Sequence, residues 1–423
     1  MGHITGKDLY RKLGQKIDGL ATRAPWNETL YAILREIYTP EEAELVVRMP
    51  YGLATLDQIQ AVTHLDPARL EQSLCDLCEK GLVLDVWANE KYHYTISPLI
   101  IGIFEFTMMR TRGELNTREW ARLFHAYLQD SATFYRANCS RGQKISSLRA
   151  LPYEETLDET AHVEILDYEK AESVVANARR AAIGICSCRH EKLHAGEKRC
   201  DIPLETCTSF DGAAETLIRH GMAREVSREE IRDLLDRSKE QGLVLCADNV
   251  RKDVSFICHC CRCCCNVLLG VSRFGYPNMV VTSNYIARIN AEECLGCGSC
   301  VLACPINAIV DADDGGCPEV NEAICLGCGV CALRCQSQSL KLINRAQRVY
   351  YPEDTFERVI LQSLEQGTLQ NLLFNNPGKL SHGMLRSFVG GFLKLPTIKR
   401  ALLSDRLRSR FLASLRASVT SPH

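Results

Sequence analysis

The chain has 423 residues, 23 of them cysteine, with a formal net charge of −2 and 46% hydrophobic residues. That length accommodates two to four domains with proper cores, and the near-neutral charge argues against bulk affinity for nucleic acid or membrane. The longest apolar run, Pro98 to Phe106, contains Glu105 and falls short of the roughly 18 residues a bilayer span requires.

The opening, Met1 to Lys7, is polar and does not read as a secretory leader. Together with cysteines grouped in metal-type spacings, this predicts a reducing, cytoplasmic setting. Residues 1–37 are expected to be a helical segment. Thr39-Pro40-Glu41-Glu42 then has a helix start, with a hydroxyl cap, proline at the first helical position and a glutamate to close the box. Thr55 with Gln58 repeats it, and Asp66-Pro67 begins a third helix through Leu70, Leu74 and Leu77 that Gly81 stops. Val83, Asp85, Val86 and Trp87 lead through Ala88-Asn89-Glu90 to Tyr92, Tyr94 and Ile96, a hairpin pattern. Over residues 38–100 this order resembles a winged helix, and the module is bounded at 38–112. The resemblance implies that the third helix would read a major groove. Its charges (Arg69 and Lys80 against Glu71, Asp76 and Glu79) oppose phosphate, so the expectation is protein docking and not DNA binding. Cys75 and Cys78 on that helix read as packed thiols.

Residues 113–160 read as a charged connector, and 161–284 as a cysteine-rich domain. Strands are expected at His162–Leu166, Ile183–Cys188 and Leu243–Cys246. Helices are expected at Glu169–Ala182, with Ala171, Val174, Val175 and Ala178 on one face, at Thr208–His220, and from the Ser227/Glu230 cap to Gln241. The alternation suggests a small α/β unit. Its loops hold Cys186, Cys188, Cys200 and Cys207, then Cys258, Cys260, Cys261, Cys263, Cys264 and Cys265. Ten cysteines exceed what packing requires. Residues adjacent in sequence point in different directions, so Cys260 and Cys261 do not suit one cube, nor do Cys263, Cys264 and Cys265 together. The run either bridges two centres or holds a larger, non-cubane cluster. At least one further iron–sulfur centre is expected here, with zinc plus buried thiols as the alternative. Arg189 and Arg262 would favour thiolates and a reduced cluster. His190, His194 and His259 are candidates for ligands or proton donors. Should the chain be an enzyme, Arg189, His190 and His259 are the catalytic candidates.

The most specific motif is Cys294-x2-Cys297-x2-Cys300-x3-Cys304 followed by Pro305, repeated as Cys325-x2-Cys328-x2-Cys331-x3-Cys335. This spacing wraps 4Fe–4S cubes: three cysteines converge on one cube and the fourth serves the other. The predicted sets are Cys294, Cys297, Cys300 and Cys335, and Cys325, Cys328, Cys331 and Cys304. Gly296, Gly298, Gly327 and Gly329 let the backbone turn its N–H groups inward. Zinc favours well-separated CxxC pairs instead. Over 285–343 the chain resembles bacterial two-cluster ferredoxins, with Gln336 where proline would follow the second run. The resemblance implies two 4Fe–4S clusters. Cys317, outside both runs, reads as a small hydrophobe.

The tail, 344–423, carries Lys379, Arg386, Lys394, Lys399, Arg400, Arg406, Arg408, Arg410 and Arg416 against Asp405 alone within residues 378–416. Leu385, Phe388, Val389, Phe392 and Leu393 form an apolar face, which Pro396 ends. Packing on its own chain, docking of a partner and lying on an anionic membrane surface are the alternatives.

Residues 7–415 as a whole resemble ferredoxin-like 4Fe–4S proteins of anaerobic bacteria and archaea. The matching stretches are Cys186-Ser187-Cys188-Arg189, Cys200-Asp201-Ile202-Pro203 with Cys207, Phe256 to Cys265, and the two cysteine runs. His259 and Arg262 stand where that resemblance would put Asn and a small residue. It implies electron transfer and supplies no substrate. The expected fold is α+β and multidomain: winged-helix-like module, small α/β cysteine-rich domain, two-cluster ferredoxin domain and helical tail. The expected function is relay of low-potential electrons from two 4Fe–4S clusters through a further cluster to a protein partner. The alternatives are a reductase with a substrate-binding iron–sulfur centre, and a cluster-based redox regulator. There is no G-x-G-x-x-G opening a helix and no P-loop, so no nucleotide or flavin is expected.

Overall fold

The computed structural model describes residues 6–113, 115–139, 143–158, 165–312, 316–375 and 380–420. The chain divides into two compact units, one from Met1–Phe104 with Thr355–His423, the other Glu105–Asp354.

In the first unit, helices Gly6–Asp18, Glu28–Ile37 and Pro40–Arg48 bury Leu13, Ile17, Leu30, Leu34 and Val46. Strand β1 (Ala54–Thr55), helices Leu56–Thr63 and Pro67–Glu79, and strands β2 (Val83–Ala88) and β3 (Lys91–Ile96) follow. The antiparallel sheet has the order β1-β3-β2. Thr39 with Glu42, and Thr55 with Gln58, form reciprocal capping boxes, and the Asp66 carboxylate accepts from the Arg69 N–H. Asn89 and Glu90, both at positive φ (50° and 63°), make the two-residue hairpin turn. Cys78 is buried and Cys75 exposed.

The tail forms helices Thr355–Gln366, Leu369–Leu373, Leu380–Leu393, Pro396–Leu403 and Asp405–Thr420; Lys379 lies outside the described residues. It packs on its own unit: Asn371 Nδ2 donates to the Gly19 carbonyl at 2.8 Å, and the Arg416 guanidinium lies 5.2 Å over the Phe356 ring. Leu393 is buried, whereas Met384, Phe388 and Phe392 are exposed. Among the described residues no helix is long and apolar enough to cross a membrane.

The second unit is built on a six-stranded sheet of order β4-β8-β9-β6-β5-β7. Its strands are β4 (Leu148–Ala150), β5 (Ala181–Ile185), β6 (Glu205–Phe210), β7 (Ala223–Val226), β8 (Val244–Asp248) and β9 (Phe256–Cys260). Every pairing is antiparallel. The α/β reading is therefore corrected to α+β, because the connections return each strand beside its partner in reverse and form no parallel crossover. The helix expected over Glu169–Ala182 covers only Ala171–Asn177. Ala178 leaves helical backbone, and the N–H groups of Arg179 and Arg180 turn to Asp211 Oδ1 at 2.8 and 3.2 Å, which frees Ala181 and Ala182 to enter β5. Thr208 to Phe210 likewise belong to β6, and the helix there runs Asp211–Arg219. Of the strand expected at His162–Leu166, His162, Val163 and Glu164 lie outside the described residues.

The described parts of residues 113–160 pack into the second unit. Helix Thr117–Gln129 buries Trp120, Phe124 and Tyr127, the Tyr135 hydroxyl on helix Thr133–Cys139 donates to the Asn266 carbonyl at 2.8 Å, and β4 pairs with β8. The C-terminal part of the unit holds β10 (Tyr285–Ile289), β11 (Ile309–Val310), β12 (Glu319–Val320) and β13 (Leu340–Asn344), with short helices Ser299–Ala303 and Val330–Leu333. β10 pairs with β13 and β11 with β12, so the two cysteine runs sit in two strand–loop–helix halves. Bridges Arg149–Val281 and Leu157–Leu342 join this part to the segment around β4.

Candidate metal centres

The repeat near the C-terminal end of the second unit gathers its eight cysteines in two sets. Cys335 is an electrostatic neighbour of Cys297 and Cys300. Cys304 is a neighbour of Cys325, Cys328 and Cys331. The two sets differ in exposure. Cys297 is at the surface with Cys294, Cys300 and Cys335 half-buried, while Cys304, Cys325, Cys328 and Cys331 are all buried and line one internal cavity with Pro305 and Ile306. Cys300 is near Cys331, where the sets approach.

The surrounding backbone suits anionic sulfur. The Ala308 N–H points at Cys304 Sγ at 3.1 Å, and Ser337 and Ser339 hydroxyls lie 3.5 Å from Cys335 Sγ. Hydrogen bonds from Ser299 hold the Cys297 thiol below its usual range, and burial pushes Cys328 up to about 12. Gly327 sits at φ +67°, and a Cβ there would meet the Tyr285 carbonyl oxygen at 2.1 Å. Eight soft donors in two sets, with inward N–H groups, fit a pair of 4Fe–4S cubes. Cys317 is no inert hydrophobe: its thiol interacts with Cys294.

The ten loop cysteines of the six-stranded sheet also separate into two sets. On the sheet face, Cys207 of β6 stands opposite Cys258 of β9, and Cys258 opposite Cys246 of β8. Cys260, two residues on, shares that face. Cys186 caps, and Cys188 lies in the first turn of, the helix Ser187–His194 that follows β5, where the strand expected through Cys188 has already ended, and Cys265 caps the helix Asn266–Ser272. Thiol contacts link Cys188 to Cys265, Cys207 to Cys258, Cys258 to Cys260, and Cys260 to both Cys246 and Cys265. Burial raises Cys186 to about 12, and contact with Cys246 leads the rise of Cys260 to about 12. Cys328 of the buried set of the repeat is an electrostatic neighbour of Cys246. Tyr153 lies between these regions: its N–H donates to the Cys328 carbonyl at 3.2 Å and its hydroxyl to the Leu243 carbonyl at 2.8 Å.

The second set is Cys200, Cys261, Cys263 and Cys264, whose sulfurs all lie within 4.8 Å of one another. Hydrogen bonds from Cys263 and Cys264, with the Arg189 guanidinium behind them, push the Cys261 thiol down. Arg189 is fully buried, donates to Thr206 Oγ1 and the His259 carbonyl, and places its charge beside Cys186 and Cys261.

The other expected site residues are arranged differently. Arg262 is turned outward, donating to the Leu302 carbonyl at 2.7 Å and Asn307 Oδ1 at 3.1 Å, so it ties the loop to the segment after the first cysteine run rather than facing the thiols. Strand alternation puts His259 on the face opposite Cys258 and Cys260, where its Nδ1 is 2.7 Å from the Ser238 hydroxyl. Burial there drives its pKa down to about 3. His190 Nδ1 is 2.6 Å from the Met108 carbonyl and its Nε2 is 2.9 Å from His194 Nε2. These three histidines are thus held by other partners. Cys246 has no spacing motif and becomes visible only through strand register. Sequence reasoning also missed a buried polar network: Glu191 meets Lys192 at 2.6 Å and His125 at 2.8 Å, and Lys192 Nζ donates to Asn266 Oδ1 at 2.9 Å. Beside it lies a cavity of about 520 Å³ whose lining includes His125, Lys192, Glu197, Arg199, Arg273 and Cys263.

No curated protein and no solved structure matches the chain. Residues 287–310, which contain Cys294, Cys297, Cys300 and Cys304, match the model of the 4Fe–4S binding domain, and the chain therefore carries an iron–sulfur binding domain there.

Proposed function

We propose that this chain is an electron-transfer protein that relays low-potential electrons between a protein partner and a centre in its cysteine-rich sheet. Cys294, Cys297, Cys300 and Cys335 would hold one 4Fe–4S cluster, and Cys304, Cys325, Cys328 and Cys331 the second. Cys186, Cys188, Cys207, Cys246, Cys258, Cys260 and Cys265 would hold a further iron–sulfur centre. Bound there, such clusters supply one-electron carriage. The observation that carries the reading is the order of the thiol sets: surface Cys297, then Cys300 beside Cys331, then Cys328 beside Cys246. The partner would dock around Cys297, where Leu295 and Leu302 are 71% and 78% exposed. The winged-helix-like order of the first unit and its basic tail serve as docking elements in this reading.

The test is iron, sulfide and EPR on the full chain purified without oxygen and titrated with a low-potential reductant. About twelve or more irons with matching sulfide, and more than two reducible centres, are expected; about eight would confine the iron to the ferredoxin-type part. Protein without iron and sulfide rejects the reading.

A second reading, a reductase, is favoured by the cavity beside Cys263. His125, Arg199 and Arg273, with Glu197 paired to Arg199, would offer an anionic substrate net positive charge. Change in the EPR signal of the sheet centre on adding small anionic substrates, with no protein partner present, separates it from the carrier reading.

A further inference from the structure

We infer that Cys200, Cys261, Cys263 and Cys264 form a site for one tetrahedral metal ion, zinc, separate from every iron–sulfur centre of the chain. Four of the sulfur separations are 3.9 Å (Cys200–Cys261), 3.8 Å (Cys200–Cys264), 3.9 Å (Cys261–Cys263) and 3.6 Å (Cys263–Cys264). Zinc–thiolate bonds of ~2.3 Å at tetrahedral angles put neighbouring sulfurs about 3.8 Å apart. A cubane cannot accept this spacing, because each thiolate binds its own iron at a different corner.

The local chain explains how the sites stay apart. Cys260 and Cys261 are neighbours, as are Cys264 and Cys265, and within each of these pairs the two thiols diverge. Cys260 and Cys265 contact the sheet-face set, while Cys261 and Cys264 meet Cys200. One side of the site is buried, with Cys261 and Cys264 beside Leu243 and Ile202 packed against them, while Cys200 and Cys263 are half-buried. Four donors close the coordination shell, which marks a structural and not a catalytic ion. Uptake converts four thiols to thiolates with release of their protons, leaving a net charge of −2. Arg189 beside Cys261 offsets part of that charge, and the Lys198 ammonium, which donates to the Cys200 carbonyl, lies next to the site. The ion would pin the Lys198–Pro203 loop to the Cys261–Cys264 turn.

The experiment measures zinc, iron and sulfide per chain in full-length protein purified without oxygen, as wild type and as Cys200→Ser/Cys263→Ser, with zinc-edge X-ray absorption on the wild type. The expected result is about one zinc per chain with a four-sulfur shell at ~2.3 Å, and a fall of zinc to background in the variant while iron, sulfide and visible absorption stay unchanged. Loss of iron and sulfide in the variant with no change in zinc overturns the inference. Should the variant not accumulate, wild type grown on cobalt decides: the spectrum of a tetrahedral tetrathiolate cobalt(II) site supports the inference. Zinc-free wild type that also lacks that spectrum overturns it. Iron and sulfide without zinc would leave the electron-transfer reading standing alone, and zinc without iron and sulfide would do the reverse.

Discussion

Cys246 on β8 stands directly across from Cys258 on β9, and Cys207 on β6 flanks Cys258 from the other side. Three adjacent strands thus present one cysteine each in a single row, at the spacing at which cross-strand side chains touch. Cys246 is fully buried and is an electrostatic neighbour of Cys328, so it lies where the sheet approaches the cysteine repeat. Cys246→Ala should remove about four irons and the matching sulfide while leaving about eight, those of the two clusters proposed for the cysteine repeat. An unaltered iron content would show that Cys246 only fills space.

Cys335→Ala and Cys304→Ala are expected to act crosswise. Cys335 follows Cys325, Cys328 and Cys331 in sequence but lies with Cys297 and Cys300, and Cys304 lies with the later run. EPR of the reduced protein should lose the surface centre in Cys335→Ala and the buried one in Cys304→Ala. If each alanine extinguished the centre of its own run, the crossed assignment would be wrong.

How much of this was legible in the sequence varies with the range of the interaction. Caps at Thr39, Thr55, Asp66 and Ser227 were readable because each depends on a residue three positions away. The cysteine runs were readable for the same reason. The split within Cys258–Cys265 was half readable: adjacency says that Cys260 and Cys261 diverge, but only the fold says toward what. Cys246 was not readable, since its partners arrive from β9 and from the ferredoxin-type part. The helix proposed through Ala182 failed because Asp211, far along the chain, draws the Arg179 and Arg180 N–H groups out of helical geometry. Residues 113–160 look polar, and their buried partners, Asn266 among them, are distant in sequence.

Gly327→Ala should be far more damaging than Gly298→Ala, although both glycines sit at φ +67°. At Gly298 the nearest atom to a new Cβ is Asp311 Oδ1 at 3.4 Å, so the cost is the left-handed backbone, about 1–2 kcal/mol. At Gly327 the Cβ would also meet the Tyr285 carbonyl oxygen at 2.1 Å, backbone that pairs with β13 and cannot step aside. Thermal melts with visible absorption should show Gly327→Ala losing colour from the buried centre and Gly298→Ala retaining it. Equal melting temperatures would mean that β10 yields.

Lys192→Met should destabilise the second unit by about 3–5 kcal/mol, the usual cost of breaking a buried ion pair from one side. Glu191 is fully buried and Lys192 is 2% exposed, so the substitution leaves Glu191 with His125 and Asn266 as its remaining polar partners. The double variant Glu191→Gln/Lys192→Met removes both charges and should recover part of the loss in chemical denaturation. A single variant as stable as wild type would place the worth of this network in the cavity it borders.

Lys16 gives the first unit a pH dependence of opposite sense to that of an ordinary surface lysine. The residue is 5% exposed, and its ammonium donates to the Met49 carbonyl and lies 3.7 Å from the centroid of the Tyr51 ring. Burial, with Arg386 as a lesser contribution, drives its pKa down to about 7 from the usual 10.5. Between those values the unfolded chain holds a proton that the folded chain does not, so folding stability rises with pH across this window, by up to about 1.4 kcal/mol per pH unit. Below pH 7 both states are protonated and the contribution is constant at its least favourable. Lys16→Met removes the titration: its denaturation midpoints should exceed those of wild type at pH 7, with the gap closing toward pH 10. A gap that stays constant over that range would mean that Lys16 remains charged in the folded protein, held by the Tyr51 ring and the Met49 carbonyl.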